Sequence, residues 1–176
     1  DSTACIPKGL TNDLNICVIP LTYVFKDLVL IDDTNLDMKD FYRRLEETER
    51  LPTTSAASPG AYVEAFKKLA PQVEGIVCIT VASKFSAMSR IATIAKQIAL
   101  DELAGIEIEV IDSGSAAMAQ GFVALAAART ASRGEPLNEV ARAAYAIKAK
   151  VKLLAVVGSL RYLARSGRFP NCLLYT

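Results

Sequence analysis

The sequence predicts an α/β fold: a three-layer α/β/α domain with a mainly parallel sheet, followed by the beginning of a second α/β domain. Three observations carry that expectation. Residues 76–81 (Ile-Val-Cys-Ile-Thr-Val) form an apolar run without alternation, the pattern of a central strand covered on both faces. Strand-like segments alternate with helical stripes of about ten to fifteen residues, the signature of βαβ units. Apolar residues make up 52% of the 176, enough to bury a sizeable core.

The elements follow in order. Residues 16–25 are apolar and β-branched, with Pro20 confining them to an edge or a break in the ladder, and residues 28–31 continue the extended pattern. Asp37 is the expected N-cap of a helix carrying Phe41, Tyr42 and Leu45, closed by Leu51-Pro52. Residues 53–58 read as a polar loop, ending in Ser58 as N-cap with Pro59 at the first position of the next helix. After the strand at 76–81, a short polar bridge leads to a helix with the stripe Met88, Ile91, Ala92, Ala95 and Ile98. Ile106, Ile108 and Val110 alternate with Glu107 and Glu109, a strand with one wetter face. An alanine-rich helix over 116–132 ends at Gly134, Pro136 and Leu137 open another to about residue 150, residues 151–157 read as strand, and 159–165 read as a short helix.

Composition excludes several chemistries. The sequence holds no His, which removes Ser-His-Asp triads, Cys-His dyads and imidazole metal sites. Glycine-rich nucleotide loops of the G-x-G-x-x-G and G-x-x-x-x-G-K-[ST] types are missing, as is the G-x-S-x-G elbow, which Asp112-Ser113-Gly114-Ser115-Ala116 does not meet. The paired acids Asp32-Asp33, Glu46-Glu47 and Asp101-Glu102 read as solvated surface rather than acid/base pairs. Cys5, Cys17, Cys78 and Cys172 form no C-x-x-C pair and read as reduced, mostly buried thiols of a cytoplasmic protein. No secretory leader is read at the opening, and no apolar run reaches the roughly 18 residues of a membrane span.

Charge is distributed unevenly. Residues 1–139 hold all 19 acids and 13 bases, a net of −6, whereas 140–176 hold seven bases and no acid. That basic segment is either a patch for an acidic partner or a tail facing the acidic remainder. No aromatic interleaving accompanies it, so nucleic acid is not expected as a partner.

In open α/β sheets, ligands bind outside the carboxyl ends of the strands. The segments expected there are rich in hydroxyls and poor in charge: Asp1-Ser2-Thr3, residues 83–89, Asp112-Ser113-Gly114-Ser115 and residues 53–58. Hydroxyls and helix N-terminal amides suit an anion. The same hydroxyls also serve as ordinary helix caps. With anion contacts but no evident base or nucleophile, the reading favours a binder over an enzyme.

Six motifs in sequence order then resemble the bacterial DegV family of fatty-acid-binding proteins over nearly the whole chain. They are Asp1-Ser2-Thr3-Ala4 with Pro7; Val18-Ile19-Pro20-Leu21; Leu51-Pro52-Thr53-Thr54-Ser55 with Ser58-Pro59-Gly60; Ser83-Lys84-Phe85-Ser86; Val110-Ile111-Asp112-Ser113; and Tyr162-Leu163-Ala164-Arg165-Ser166-Gly167-Arg168. The resemblance implies residues 1–150 as a DegV-like N-terminal α/β domain missing its first strand, and 151–176 as the incomplete start of a second lipid-binding domain. It implies a long-chain fatty acid as ligand, no cofactor or metal, and a role as acyl carrier for a fatty acid kinase subunit that forms an acyl-phosphate. Thr54 and Ser86 map onto the carboxylate-holding hydroxyls, with Ser83, Ser113 and Ser2 nearby, and Met88, Ile91 and Ala95 onto a tunnel wall. The pattern departs at Ala56-Ala57, in place of Gln-Pro, and at Ala87-Met88, in place of Gly-Thr, where a Cβ and a long side chain crowd the carboxylate. Two alternatives stay open: a phosphotransfer enzyme or kinase-associated subunit acting on a phosphorylated small molecule, and a truncated interaction domain that oligomerises through an exposed apolar cleft.

Overall fold

The computed structural model describes residues 1–26, 28–32, 36–48 and 50–157. A 3₁₀ turn, Ser2–Ala4, opens the chain. It is followed by α1 (Lys8–Asp13), β1 (Thr22–Val24), β2 (Val29–Ile31), α2 (Met38–Glu47), β3 (Thr53–Ser55), α3 (Pro59–Leu69), β4 (Gly75–Thr80), α4 (Met88–Glu102), β5 (Glu107–Asp112), α5 (Ala117–Ala131) and α6 (Leu137–Lys148).

The centre is the parallel pair β4–β5, in register from Gly75↔Glu107 to Thr80↔Asp112. Alternate residues of these strands feed two separate cores. Ile76 and Ile108 join Tyr62, Val63 and Phe66 of α3 and Met88, Ala92, Ala95 and Ala99 of α4. Ile79 and Ile111 join Val123 and Ala127 of α5 and Val140 and Ala144 of α6. Two helical layers therefore sandwich one parallel pair, as expected of an apolar strand that needs cover on both faces. Each fully buried Met, Phe or Ile in these cores contributes about 1.5–3 kcal/mol of transfer free energy.

A second, antiparallel sheet has the order β2–β1–β3, with Tyr23 opposite both Leu30 and Thr54. Its inner face rests on α2 through Tyr23 and Phe25, whose rings lie 4.7 and 5.9 Å from that of Phe41. Two helix starts match the sequence reading. The Asp37 carboxylate accepts from the amides of Lys39 (2.9 Å) and Asp40, and the Ser58 hydroxyl accepts from Ala61 N at 3.2 Å.

The structure corrects several expectations. Within residues 16–25 only Thr22–Val24 forms strand, because Pro20 has no amide to give a ladder. Thr53–Ser55 is not loop but the edge strand β3, its polar residues suiting a solvated edge. Residues 8–13 form a helix that nothing local announced, with Pro7 ahead of it and no side-chain cap. Ile98 falls off the buried stripe of α4, replaced by Ala99. Cys5 and Cys17 are exposed rather than buried, while burial pushes the Cys78 thiol up to about 11. Residues 151–157 are irregular rather than strand: Val151 packs on the α5–α6 core, and 152–157 are exposed, with Leu154 and Val156 open to solvent among the described residues. The helix expected at 159–165, the motif at 162–168 and Cys172 lie outside the described residues.

Gly121, in the first half of α5, is where the 3₁₀ turn crosses that helix. A Cβ there would stand 2.7 Å from the Ala4 carbonyl oxygen, a backbone atom that cannot swing away. Gly121→Ala is expected to destabilise the protein by about 1–3 kcal/mol in urea unfolding. Gly9→Ala, in α1, meets nothing within 4 Å and should be neutral or slightly stabilising in the same measurement.

Candidate functional site

The carboxyl ends of β4 and β5 meet the opening 3₁₀ turn and the starts of α4 and α5, forming a crest. Its loops are tied by side chains that reach across long stretches of sequence. One Asp1 carboxylate oxygen accepts from Val81 N at 2.7 Å, while the other accepts from Thr3 N at 3.1 Å and from the Thr3 hydroxyl. Thr3 Oγ1 also lies 2.7 Å from Gln120 Oε1, in the first turn of α5. That hydroxyl has one proton, and the ionised carboxylate is the stronger acceptor.

Asp112, at the end of β5, ties the two strand-end loops together. Its carboxylate accepts from Gly114 N at 2.7 Å and from Ser83 N at 3.1 Å. Burial pushes its pKa up, but the Ser83 hydroxyl, the Gly114 and Ser83 amides and the nearby Lys148 charge outweigh burial and hold it below the ordinary carboxylate value. Ser115 O accepts from Ala82 N at 2.8 Å, and Thr80 O accepts from Ser113 N at 3.0 Å, which completes the stitching.

The predicted residues fall into four groups. Ser83 and Ser86 lie on the crest loop after β4, Ser83 exposed and Ser86 half-buried. The Ser86 hydroxyl is 3.4 Å from Met88 N, a long contact that leaves it largely uncommitted. Ser2 and Ser113 are engaged structurally. The Ser2 hydroxyl accepts from Leu21 N at 3.1 Å, and Ser113, 2% exposed, donates to Ser115 O and accepts from Ser115 N within its own turn. Thr54 stands on β3 opposite Tyr23 and is exposed. Below it, Ala57 enters the same core as Met88, and Ala56 and Phe85 pack against that core, so the two loops share one footing. Met88 and Ala95 are 1% and 0% exposed within that core, and Ile91 is half-buried.

Two features escaped the sequence reading. The 15-residue helices α4 and α5 both start at the crest without a side-chain cap, at Ala87 and Ala116, whereas α2 and α3 are capped. Their first-turn amides therefore point outward at the positive end of a helix dipole. The other is a set of three buried polar atoms without a hydrogen-bond partner: Thr80 Oγ1 at the end of β4, Gln120 Nε2 in the first turn of α5 and Tyr62 OH in the first turn of α3. Thr80 and Gln120 stand at the crest. Burial pushes the Tyr62 phenol far above its ordinary value, so it stays a neutral donor. Among the described residues, no group of three or more Cys, Asp or Glu could hold a metal ion, and no helix is long and apolar enough to cross a membrane.

Three comparisons place this geometry. Residues 1–173 match the family model described as "uncharacterised protein, DegV family". A DegV domain-containing protein of Caldanaerobacter subterraneus is 33% identical over 171 residues, which is 97% of this chain and 59% of that protein. The chain thus spans about three fifths of the curated relatives it matches. Among solved structures, a DegV fatty acid binding protein from Bacillus subtilis is 27% identical with a TM-score of 0.85, covering 100% of this chain and 62% of that one. The fatty acid kinase B3 protein of Streptococcus pneumoniae, loaded with linoleic acid, is 27% identical with a TM-score of 0.68, covering 74% of this chain and 45% of that one.

Removal of the Asp112 carboxylate tests the crest directly. Asp112→Ala should lower unfolding stability by about 1–2 kcal/mol, since two amides lose a charged acceptor in a partly solvated site. Because the folded-state pKa lies below the unfolded one, the stabilisation is present above the unfolded value and is lost as pH falls through the folded one. Urea unfolding at neutral pH and in acid should therefore separate parent and variant at neutral pH and bring them together in acid.

Proposed function

The chain belongs to the DegV family, and from that membership we propose that it binds a long-chain fatty acid and acts as an acyl carrier. The observation that carries the reading is the crest. Uncapped amides of two long helices, the half-buried Ser86 hydroxyl and the buried unpartnered Thr80 and Gln120 groups gather where a carboxylate needs donors. The relatives named above as fatty-acid-binding or fatty-acid-loaded share this fold.

In this reading, Ser86 and Thr54 donate to the ligand carboxylate, assisted by the first amides of α4. Ser83 stays at the rim, with its amide already given to Asp112. Ser113 and Ser2 shape the loops through the local bonds described above, and reach the ligand only indirectly. Ile91 flanks the acyl chain, and Met88, an unbranched and adaptable thioether, shifts within the core to admit it beside Ala95. The hydroxyl-lined site supplies an anion with neutral donors and holds its charge without a catalytic base. The partner that would phosphorylate the carboxylate is a fatty acid kinase subunit, a role supported by the kinase B3 relative.

Ser86→Ala is expected to weaken binding of a fluorescent long-chain fatty acid by roughly 5- to 150-fold, the loss of one bond to a buried carboxylate worth about 1–3 kcal/mol. Unchanged affinity in a fluorescence titration would overturn the assignment of Ser86. Organic extraction and mass spectrometry of the purified protein should show a co-purifying fatty acid in the parent and less of it in the variant.

A further inference from the structure

One buried polar group has no part in holding the carboxylate. Tyr62, in the first turn of α3, is 0% exposed, and its hydroxyl has no hydrogen-bond partner among the described residues. It shares its core with Phe66 of its own helix and with Met88, Ala92, Ala95 and Ala99 of α4, the helix that packs against α3. The Phe66 ring lies 6.2 Å from that of Tyr62. The Cys78 thiol is near enough to push the phenol up beyond what burial alone does, yet no hydrogen bond joins the two. A phenylalanine would fill the same space without an unpartnered hydroxyl, as Phe66 does one turn along.

We propose that Tyr62 is a specificity-determining residue: its phenolic hydroxyl donates to an oxygen carried on the acyl chain and so selects an oxo fatty acid over an unsubstituted one. The inference rests on the fatty-acid reading above, in which the chain enters beside Ala95 as Met88 shifts. A chain admitted there enters the core that holds the Tyr62 hydroxyl.

The surroundings decide which partner suits it. A buried water makes about three hydrogen bonds, whereas the side chains of this core are hydrocarbon apart from the Tyr62 phenol, the Met88 thioether and the Cys78 thiol. An oxygen borne by the ligand arrives with the chain and needs one donor. The neutral phenol has one proton to give. A ketone only accepts, so that single bond satisfies both groups. A hydroxyl in the same place brings a proton of its own, for which only sulfur is at hand, and is the poorer partner.

Displacement of a fluorescent long-chain fatty acid from the delipidated chain tests the proposal. The competitors are octadecanoic acid and octadecanoic acids carrying one oxo group at successive mid-chain carbons. At one position the oxo acid should bind roughly 5- to 30-fold tighter than the unsubstituted acid, with the corresponding hydroxy acid in between. Tyr62→Phe should abolish that difference and leave Tm equal or higher, since no partner is lost. A panel in which no oxo acid is preferred, or a preference that survives Tyr62→Phe, would overturn the proposal. So would a Tm lowered by several degrees in Tyr62→Phe, because the hydroxyl would then have a partner in the ligand-free protein. Ser86→Ala should weaken oxo and unsubstituted acids alike, which separates the two readings. Binding that depends on Ser86 but ignores the oxo group overturns the inference on Tyr62 alone, and failure of every acid to bind overturns both.

Discussion

The rest of the structure depends on a strand that is apolar on both sides. In β4 neither face of the run can meet water, so α3 and α4 must cover one and α5 and α6 the other. That requirement fixes which helices are amphipathic and which are rich in small residues. Along α5, Ala119, Gly121, Val123 and Ala127 are buried, and their size lets the helix lie close to the sheet, to α6 and to the opening 3₁₀ turn. Ion pairs contribute little to this arrangement. Lys67 Nζ meets Glu102 at 2.6 Å between α3 and α4, but both side chains are well exposed, which limits the pair to a fraction of a kcal/mol or so.

Covering the strand pair creates a second problem at its carboxyl end, where amides and carbonyls leave the ladder. The chain solves it with short acidic and hydroxyl side chains: Asp1 takes the amide of Val81, Asp112 takes those of Ser83 and Gly114, and Ser113 closes its own turn. Because these groups satisfy loop backbone, the amides of α4 and α5 are left uncapped. The economy of the crest explains its chemistry. Its acids are occupied by backbone donors, so what faces outward is donor-rich and suited to an anion.

Local signals made much of this legible. Asp37 and Ser58 cap helices through neighbours two or three residues away, and both were readable from residue type alone. The unalternating run at 76–81 marks a strand covered on both faces, though among the described residues it pairs on one edge only, and Gly134, with φ +79, follows the end of α5. What escaped has no local signature. The bond from Val81 N to Asp1 spans 80 residues, that from Ser83 N to Asp112 spans 29, and the approach of Thr3 Oγ1 to Gln120 Oε1 spans 117. Likewise β3 is three polar residues that become strand only because β1 offers an edge. Met88 and Ala95 read as a stripe, and the structure buries both beside α3; no periodicity distinguishes a core from a tunnel wall.

The two ends of β4 thus ask for different things. At its carboxyl end the backbone is consumed by fixed side chains, and the exposed remainder attracts negative charge. Along its free edge the cleft is walled mostly by apolar side chains of α3 and α5, and Ile79 O there accepts from Asp1 N. A single parallel strand of six residues therefore borders both the donor-rich crest and an apolar cleft. Asp1 joins them: its amino group donates to Ile79 O on the cleft side, and its carboxylate accepts from Val81 N in the crest.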